Sequence, residues 1–547
     1  MVPSAGNGIL DVAVVGAGHN ALIAAAYLVR AGKRVAVFER AARAGGAVQT
    51  RNDIFPGYRI DVGSSAHILI HLTPVLEELE LARYGLRYID CDPWSFYPLE
   101  DGRSLFFWKD IDRTCESIAA ISPRDADAYR RFCAEWRPIS RAVLQTFLNP
   151  PKPGKVAWTM ARSGGFARGG LPKLQQILGS YRALLNSTFE HPAVRAAIEW
   201  IAAQSGPPPG ELGSAPLAGW QVLYHESGVK RAVGGSGALS EALVRLIEDH
   251  GGEVHTGRPV RRILVERGRA AGLEVGEGVE PGLPLAAGPT PPGRTEIVRA
   301  GGVLAGCHIA TTFGRLLSGV PEAAPMRERV GQLRIGNGFG MILRCTTSEL
   351  PHYAGWEGSQ AEGGSGAPGP MHQGLQLLCS PAPFLDDAYA DFLRGEPARE
   401  PAVVAMTWSA VDPSLAPAGK HLLFAWAQYH PYALANGQSW SAIREREAER
   451  ILGTVGRFAP NVPTCVEQMH IQTPPDLERE IGLFNGNVMH LEMSLDQMFF
   501  FRPLPELSGY TTPIHGLFLT GASTHPGGGV FGASGRSAAG VVLKGLR

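Results

Sequence analysis

Neither sign of charge is in excess. The 547-residue chain carries 51 Lys plus Arg against 51 Asp plus Glu, with no long basic run. Affinity built on neutralising a phosphate backbone normally shows a basic surplus, so nucleic acid is not an expected partner. Cysteine is scarce and dispersed. The seven (Cys91, Cys115, Cys133, Cys307, Cys345, Cys379 and Cys465) form no C-x-x-C or C-x4-C pair. That argues against a zinc site and a redox dithiol, and suits free thiols in a reducing compartment. Also missing is an uninterrupted apolar run of about 20 residues, the requirement for a spanning helix. The opening "MVPSAGNGIL" has no basic segment ahead of an apolar core, so no signal peptide is expected and the expected location is cytoplasmic. No Ser-His-Asp or metal-ligand constellation stands out, and no metal is expected.

Glycine is abundant: 68 residues, with 42 prolines, point to many turns and close backbone approaches. The most informative glycines lie in "VAVVGAGHNALIAAAYL", residues 12–28. The segment "DVAVVG" is apolar on both faces, as a buried parallel strand is. Ala21 to Arg30 reads as a helix stopped by Gly32, and "RVAVFE" (34–39) reads as the next strand. This is a βαβ unit with G-x-G-x-x-A at its first turn. Gly16 permits the tight turn, Gly18 removes the Cβ that would hold a pyrophosphate away, and Ala21 lets helix and strand pack. The helix N-terminus presents free N–H groups to phosphate. Glu39, closing the second strand, is placed for ribose hydroxyls and would repel a 2′-phosphate.

Further glycines follow at Gly45 and Gly46, then "YRIDVGSSAH" with Asp61 and Gly63. At the other end stands "GLFLTGASTHPGGGVFGASGRSAAGVVL" (516–543). There a short strand, Gly521, the Gly527-Gly528-Gly529 loop and a small-residue helix form a second segment of close backbone approach. A ligand touched by both chain ends is longer than a nicotinamide domain needs.

"GAGHNALIAAAYL", the Gly45-Gly46 doublet, "GGSGALSEAL" (234–243) and "GASTHPGGGVFGASGRSAA" together resemble the phytoene-desaturase-like FAD flavoproteins. His19-Asn20 and "MSLDQMFFFRPLPELSGYTTPIHGLFLTG" resemble one branch of them, named for a pyridine nucleotide-disulfide oxidoreductase domain. The resemblance implies FAD held by Gly16, Gly18, Ala21, Glu39, Gly45 and Gly46. It also implies Gly521 and Gly527 to Gly529 near the pyrophosphate and flavin ring, and a Val260 backbone contact at the adenine end. Two positions depart from the pattern: Ala47 replaces a common Arg, and Ser236 replaces a common Met. A nicotinamide-linked disulfide reductase is not expected. The redox cysteine pair is missing, and "IGNGFG" (335–340) runs into the strand-like "MILR" instead of opening a helix.

The fold class expected is α/β. A Rossmann-like FAD-binding domain from both chain ends (8–65, 228–310 and 481–547) interleaves with an α+β substrate region (66–227 and 311–480), in the amine-oxidase and phytoene-desaturase manner. Leu239, Leu243, Leu246 and Ile247 share one helix face, and a hairpin turns at Gly268. The Pro/Gly-rich stretches 276–295 and 357–374 read as surface loops. Trp408, Phe424, Trp426 and Tyr429, on strands "VVAMTWSAV" and "HLLFAWAQY", are either sheet core or the lining of an apolar cavity.

For chemistry, a flavin accepts hydride itself, and the protein positions a C–H bond and manages the proton. His525 is a candidate proton shuttle or a residue that shapes the glycine loop. Asp496 and Arg502 are a structural charge pair or a polar element of the site, and Tyr510 is a weaker candidate. The function expected is dehydrogenation of a C–C bond in an apolar, isoprenoid-like or amphiphilic substrate, with oxygen or a quinone as acceptor. Peripheral membrane contact is compatible with this. Flavin-dependent isomerisation or saturation, and an FAD-stabilised interaction protein with little turnover, stay open.

Overall fold

The structure is a computed structural model that describes residues 9–162, 165–282, 294–356 and 367–546. In chain order the main elements begin with β1 (Leu10–Val15), α1 (His19–Arg30) and β2 (Val35–Phe38). Next come β3 (Ser95–Pro98), β4 (Ser104–Phe107) and the helices α2 (Pro123–Phe147), α3 (Pro153–Arg162), α4 (Gly165–Leu178) and α5 (Pro192–Ala203). Then follow α6 (Ala238–Asp249), β5 (Glu253–His255), β6 (Val260–Glu266), β7 (Arg269–Gly276) and β8 (Thr295–Ala305). The second half holds β9 (Gly338–Thr347), β10 (Leu375–Leu378), β11 (Ala402–Met406), β12 (His421–Pro431) and α7 (Trp440–Phe458). It closes with β13 (Val466–Gln472), β14 (Leu517–Leu519) and α8 (Ala533–Gly545).

Two seven-stranded sheets carry the fold. In the first, β5, β2, β1, the C-terminal half of β8 and β14 run parallel, while β6, β7 and the N-terminal half of β8 form an antiparallel meander. β8 is long enough to serve both: Thr295–Arg299 pair with β7, and Ala300–Ala305 pair with β1. β1 is central, so its Val12, Val14 and Val15 are buried between layers of apolar side chains. Covering one face are α1, α6 and α8. Leu239, Leu243, Leu246 and Ile247 of α6 all face the core, and the hairpin turns at Gly268 (φ 74°). The α/β expectation, with a parallel sheet assembled from both chain ends, is borne out.

The second sheet runs β13-β9-β12-β11-β10-β3-β4, antiparallel except for β10 on β3. One face packs on α7; the other faces the helical layer that includes α2 and α5. "IGNGFG" leads straight into β9, buried along its whole length and hydrogen-bonded on both sides. Residues 283–293 and 357–366, within the two stretches read as surface loops, lie outside the described residues. The strand expected to reach Trp408 ends at Met406, because Thr407 turns away to bond the His372 carbonyl and Trp408 enters a short 3-10 turn.

Candidate functional site

The first turn after β1 is shaped by its glycines. Gly16 has φ 84°, a conformation only glycine adopts cheaply. Gly18 is different: its φ is −64°, and a Cβ built there meets no protein atom within 4 Å. The polypeptide's own packing therefore does not require glycine at 18, whereas a pyrophosphate lying on the backbone does. Gly45 donates its N–H to the Ala17 carbonyl at 2.7 Å, clamping the 45–46 loop on the turn, and a Cβ on Gly46 would stand 3.3 Å from Gly18 Cα. Ala21 packs so closely that a Cβ on Gly306 would lie 2.6 Å from its own. Helix α1 opens with no side-chain cap, leaving its first N–H groups open to phosphate.

Glu39 is buried and accepts from Ala17 N at 2.7 Å and Ala41 N at 2.9 Å. It thus fastens the glycine turn. The Arg258 N–H bonds the Glu39 carbonyl at 2.8 Å, which brings the start of β6, and Val260, alongside this carboxylate.

The C-terminal segment meets the N-terminal one. Gly521 (φ 104°) abuts the Gly306 carbonyl, and the hydroxyls of Thr520 and Thr524 bond Ser534 at 3.0 and 2.8 Å. Asn20 Oδ1 accepts from Gly535 N at 3.4 Å, and the His19 ring bonds the Gly529 backbone. The His19-Asn20 pair therefore stitches α1 to the glycine loop and α8. A Cβ on Gly527 would meet Met493, one on Gly528 the Val488 carbonyl and Met489, and one on Gly529 Leu69. Beside this loop lie Phe147, Leu223 and Phe531, with Leu69, Leu72, Trp220, Met498 and Phe499 half-buried around them. The glycine loop thus has backbone on one side and apolar side chains on the other.

His525 is fully buried. Its Nε2 donates to the Thr146 carbonyl at the end of α2 (3.0 Å), its ring packs edge-on to Phe147, and Nδ1 has no polypeptide partner. Burial pushes its pKa down to about 4. Tyr510 donates to the His525 carbonyl at 2.9 Å. Both contacts tie the glycine loop in place, His525 to the end of α2 and Tyr510 to the His525 carbonyl.

The expected Asp496–Arg502 pair is not formed. Asp496 is exposed and takes a two-pronged bond from Arg334 at 2.7 and 2.8 Å, which lowers its pKa to about 2. Arg502 is fully buried without a carboxylate. Its guanidinium donates to the carbonyls of Met489, Glu492, Gln497, Ala522 and Thr524 at 2.6–3.3 Å. Desolvation lowers its pKa to about 9. A short 3-10 turn over Phe499–Phe501 separates the two side chains, sending one outward and the other inward.

A buried polar hub that sequence reasoning missed lies between the "IDVGSSAH" and "GGSG" segments. Asp61 pairs with Arg231, both fully buried, and accepts from Ser236 N (2.9 Å) and Thr50 Oγ1 (2.7 Å). Ser236 Oγ bonds His67 Nε2 (2.8 Å) and Ser64 Oγ (2.9 Å), while His67 Nδ1 bonds Tyr88. The Ser236 departure therefore has a polar rationale that Met could not supply. From β9, Arg344 reaches the Gly63 carbonyl at 3.3 Å. Among the four aromatics, Trp408 and Phe424 are core, and Tyr429 packs on Tyr389 and Phe392. Trp426 is half-buried against Phe339, with its indole N–H unpaired within the polypeptide.

The profile of the flavin-containing amine oxidoreductase family matches residues 22–280. A mouse protein, pyridine nucleotide-disulfide oxidoreductase domain-containing protein 2, is 31% identical over 98% of this chain and 94% of its own. A lycopene-forming phytoene desaturase of Pseudescherichia vulneris is 25% identical over 98% of this chain and 99% of its own. A solved oxidoreductase from Methanosarcina mazei shares the fold at TM-score 0.59 and 18% identity, covering 97% of this chain and 99% of that one. With a glycine turn after β1, a buried carboxylate fastened to it and a second glycine loop tied to α1, the chain belongs to the family of pyridine nucleotide-disulfide oxidoreductase domain-containing protein 2, and its cofactor is FAD.

Proposed function

We propose that this oxidoreductase dehydrogenates a C–C bond of an apolar or amphiphilic, isoprenoid-like substrate, with oxygen or a quinone as the final acceptor. The observation that carries the reading is the half-buried apolar group Leu69, Leu72, Trp220, Met498 and Phe499 beside the Gly527–Gly529 loop. A polar substrate would leave its hydrogen bonds unmade there, whereas a hydrocarbon gains about 25 cal/mol per Å² buried. A phytoene desaturase among the relatives supports the same substrate class.

In this reading residues 8–65, 228–310 and 481–547 hold the cofactor, and 66–227 with 311–480 cover the substrate. Gly16, Gly18 and the α1 N-terminus would hold the pyrophosphate, Glu39 the ribose, the Val260 backbone the adenine end, and Gly45, Gly46, Gly521 and Gly527–Gly529 the remainder. Bound flavin supplies the hydride acceptor. The chain's own contribution is alignment: Arg502, His525 and Tyr510 fix the loop, and the apolar cluster orients the reacting bond and excludes water. With His525 held neutral and bonded to Thr146, the proton released with the hydride passes to water at the half-buried edge of this cluster.

Anaerobic mixing of the yellow holoprotein with isoprenoid hydrocarbons and their alcohols tests this. Bleaching at 450 nm with a product two hydrogens lighter is expected, and NADPH alone should leave the flavin oxidised. Product without net bleaching would establish isomerisation instead, and bleaching by NADPH would mean a nicotinamide site.

A further inference from the structure

Equal totals of charge conceal a strong segregation. Between Glu135 and Glu190 the chain carries eight Lys and Arg and no Asp or Glu. This span contains the second half of α2, then α3 and α4. Helix α3 has no buried residue, and its Trp158 is 61% exposed, with Arg162 stacked 5.1 Å over the indole ring. Between α2 and α3 lies a groove of about 560 Å³ lined by Arg137, Arg141, Gln145, Trp158 and Arg162. Glu226 pairs with Arg137 and Arg141, while Lys152, Lys155 and Arg162 have no carboxylate partner among the described residues.

The adjoining α4 is turned the wrong way for a helix of a water-surrounded protein. Leu171 (80% exposed), Leu174 and Leu178 (50%), at i, i+3 and i+7, form an outward stripe. The stripe does not end with the helix. The Leu178 carbonyl accepts from Gly213 N at 2.8 Å, beside Leu212, 73% exposed. Leu495, 46% exposed, lies against Gly213. Leu495 belongs to the segment whose Met493 touches the Gly527 position, so the ridge runs from α4 toward the cofactor loop. Carboxylates near this ridge include Glu211, next to Leu212, and the pair Asp496 and Glu492, which share Arg334. Lys173, on α4 itself, ties the helix to Glu135 of α2. The leucines therefore stand beside the cationic groove.

We propose that the α3–α4 face, with Leu212 and Leu495, docks on the surface of an anionic phospholipid bilayer. Cations with aromatic and aliphatic neighbours on one face are the composition of an interfacial segment. Leu and Trp enter the acyl boundary while Lys and Arg meet the headgroups. Among the described residues no helix is long and apolar enough to cross a membrane, and the face needs none: it lies on the surface. The charge asymmetry selects the occupant: Lys152, Lys155 and Arg162 lack a carboxylate partner among the described residues, and Arg137 and Arg141 share the one carboxylate of Glu226, a surplus that anionic headgroups would neutralise and an apolar protein partner would not. Docking stands on this surface alone and does not depend on the substrate assignment.

The test is flotation of the FAD-loaded protein with phosphatidylcholine vesicles, with and without 30% phosphatidylglycerol, at low salt. Binding to the anionic vesicles is expected, at least tenfold tighter than to the neutral ones and largely lost in 0.5 M NaCl. The K152E/K155E/R162E variant and the L171S/L178S variant should each weaken it at least tenfold while keeping flavin absorbance and Tm. Should either variant lose its flavin, the salt and lipid series on the unaltered protein still decides. Absence of flotation with anionic vesicles overturns the proposal. So does binding that neither variant alters, or equally tight capture by soluble polyglutamate or RNA that L171S/L178S leaves intact.

Discussion

At the scale of single residues, Gly18 and His525 separate what the fold needs from what the cofactor needs. A Cβ at 18 touches nothing in the protein and φ is ordinary, so Gly18→Ala should leave the apoprotein's Tm within about 1 °C of wild type. In the proposed reading the same methyl would stand in the way of the pyrophosphate, and FAD affinity should fall at least tenfold, about 1.4 kcal/mol, in a titration of apoprotein followed by flavin fluorescence. Equal loss of Tm and affinity would mean the glycine serves the turn alone. His525 yields the opposite pattern. Its Nε2 bond to Thr146 and its pKa near 4 leave it neutral above about pH 5. His525→Gln should keep turnover per bound flavin within about threefold, with Tm lowered by the disturbed loop. A general acid–base role would instead cost about 10²–10⁴-fold per flavin.

Among the elements, the 489–502 segment is held by one guanidinium. Five carbonyls from two strands of loop converge on Arg502. Arg502→Met keeps the volume and removes every donor; with each orphaned carbonyl costing about 1–3 kcal/mol, Tm should drop by several degrees and flavin should leak on dilution. Arg502→Lys should recover part of both. Flavin retention and Tm equal to wild type in Arg502→Met would show that the loop is held by packing.

Nothing in "SLDQMFFFRP" announces this role. Two opposite charges six positions apart suggest a pair, but Asp496 finds Arg334 from a distant stretch, and Arg502 answers to backbone, which a sequence does not display. The βαβ turn was legible because all its causes are local: two glycines, an alanine and a carboxylate within one strand–helix–strand unit. The C-terminal glycine loop was legible for the same reason. By contrast, the Asp61–Arg231–Ser236–His67 hub joins residues up to 175 positions apart. Its members look like ordinary polar residues until two loops are brought together. The aromatic strand "HLLFAWAQY" was legible as a strand, yet which face each ring takes depends on the helices laid over it.

Over the whole molecule, histidine governs the response to acid. Burial lowers the pKa of His225, His308, His372 and His525 to about 4 and of His430 to about 3, and drives His67 and His490 well down. Each is uncharged when folded and free to titrate near 6.5 when unfolded. Below pH 6.5 the unfolded chain binds more protons, so stability present above 6.5 is lost as pH falls toward 4. Each histidine contributes up to about 1.4 kcal/mol per pH unit in that window. Tm should decline steadily from pH 7 to 5, and calorimetry in buffers of different ionisation enthalpy should detect uptake of more than one proton on unfolding. A flat Tm over this range would show that these rings are solvated in the folded state.

The pairing of β8 with both β1 and β14 carries a consequence for how the protein is made. The phosphate-binding turn leaves the ribosome first, but its counterpart at 517–545 is translated some 500 residues later, about 25–100 s at ordinary elongation rates. During that interval the nascent chain has half a binding site, and α1 displays the apolar face that α8 will cover. If both ends hold the cofactor, flavin loading is expected to wait for the finished chain. A ribosome that stalls anywhere before Leu517 releases a colourless product with an uncovered helix, the kind of surface by which chaperones and proteases recognise unfinished work.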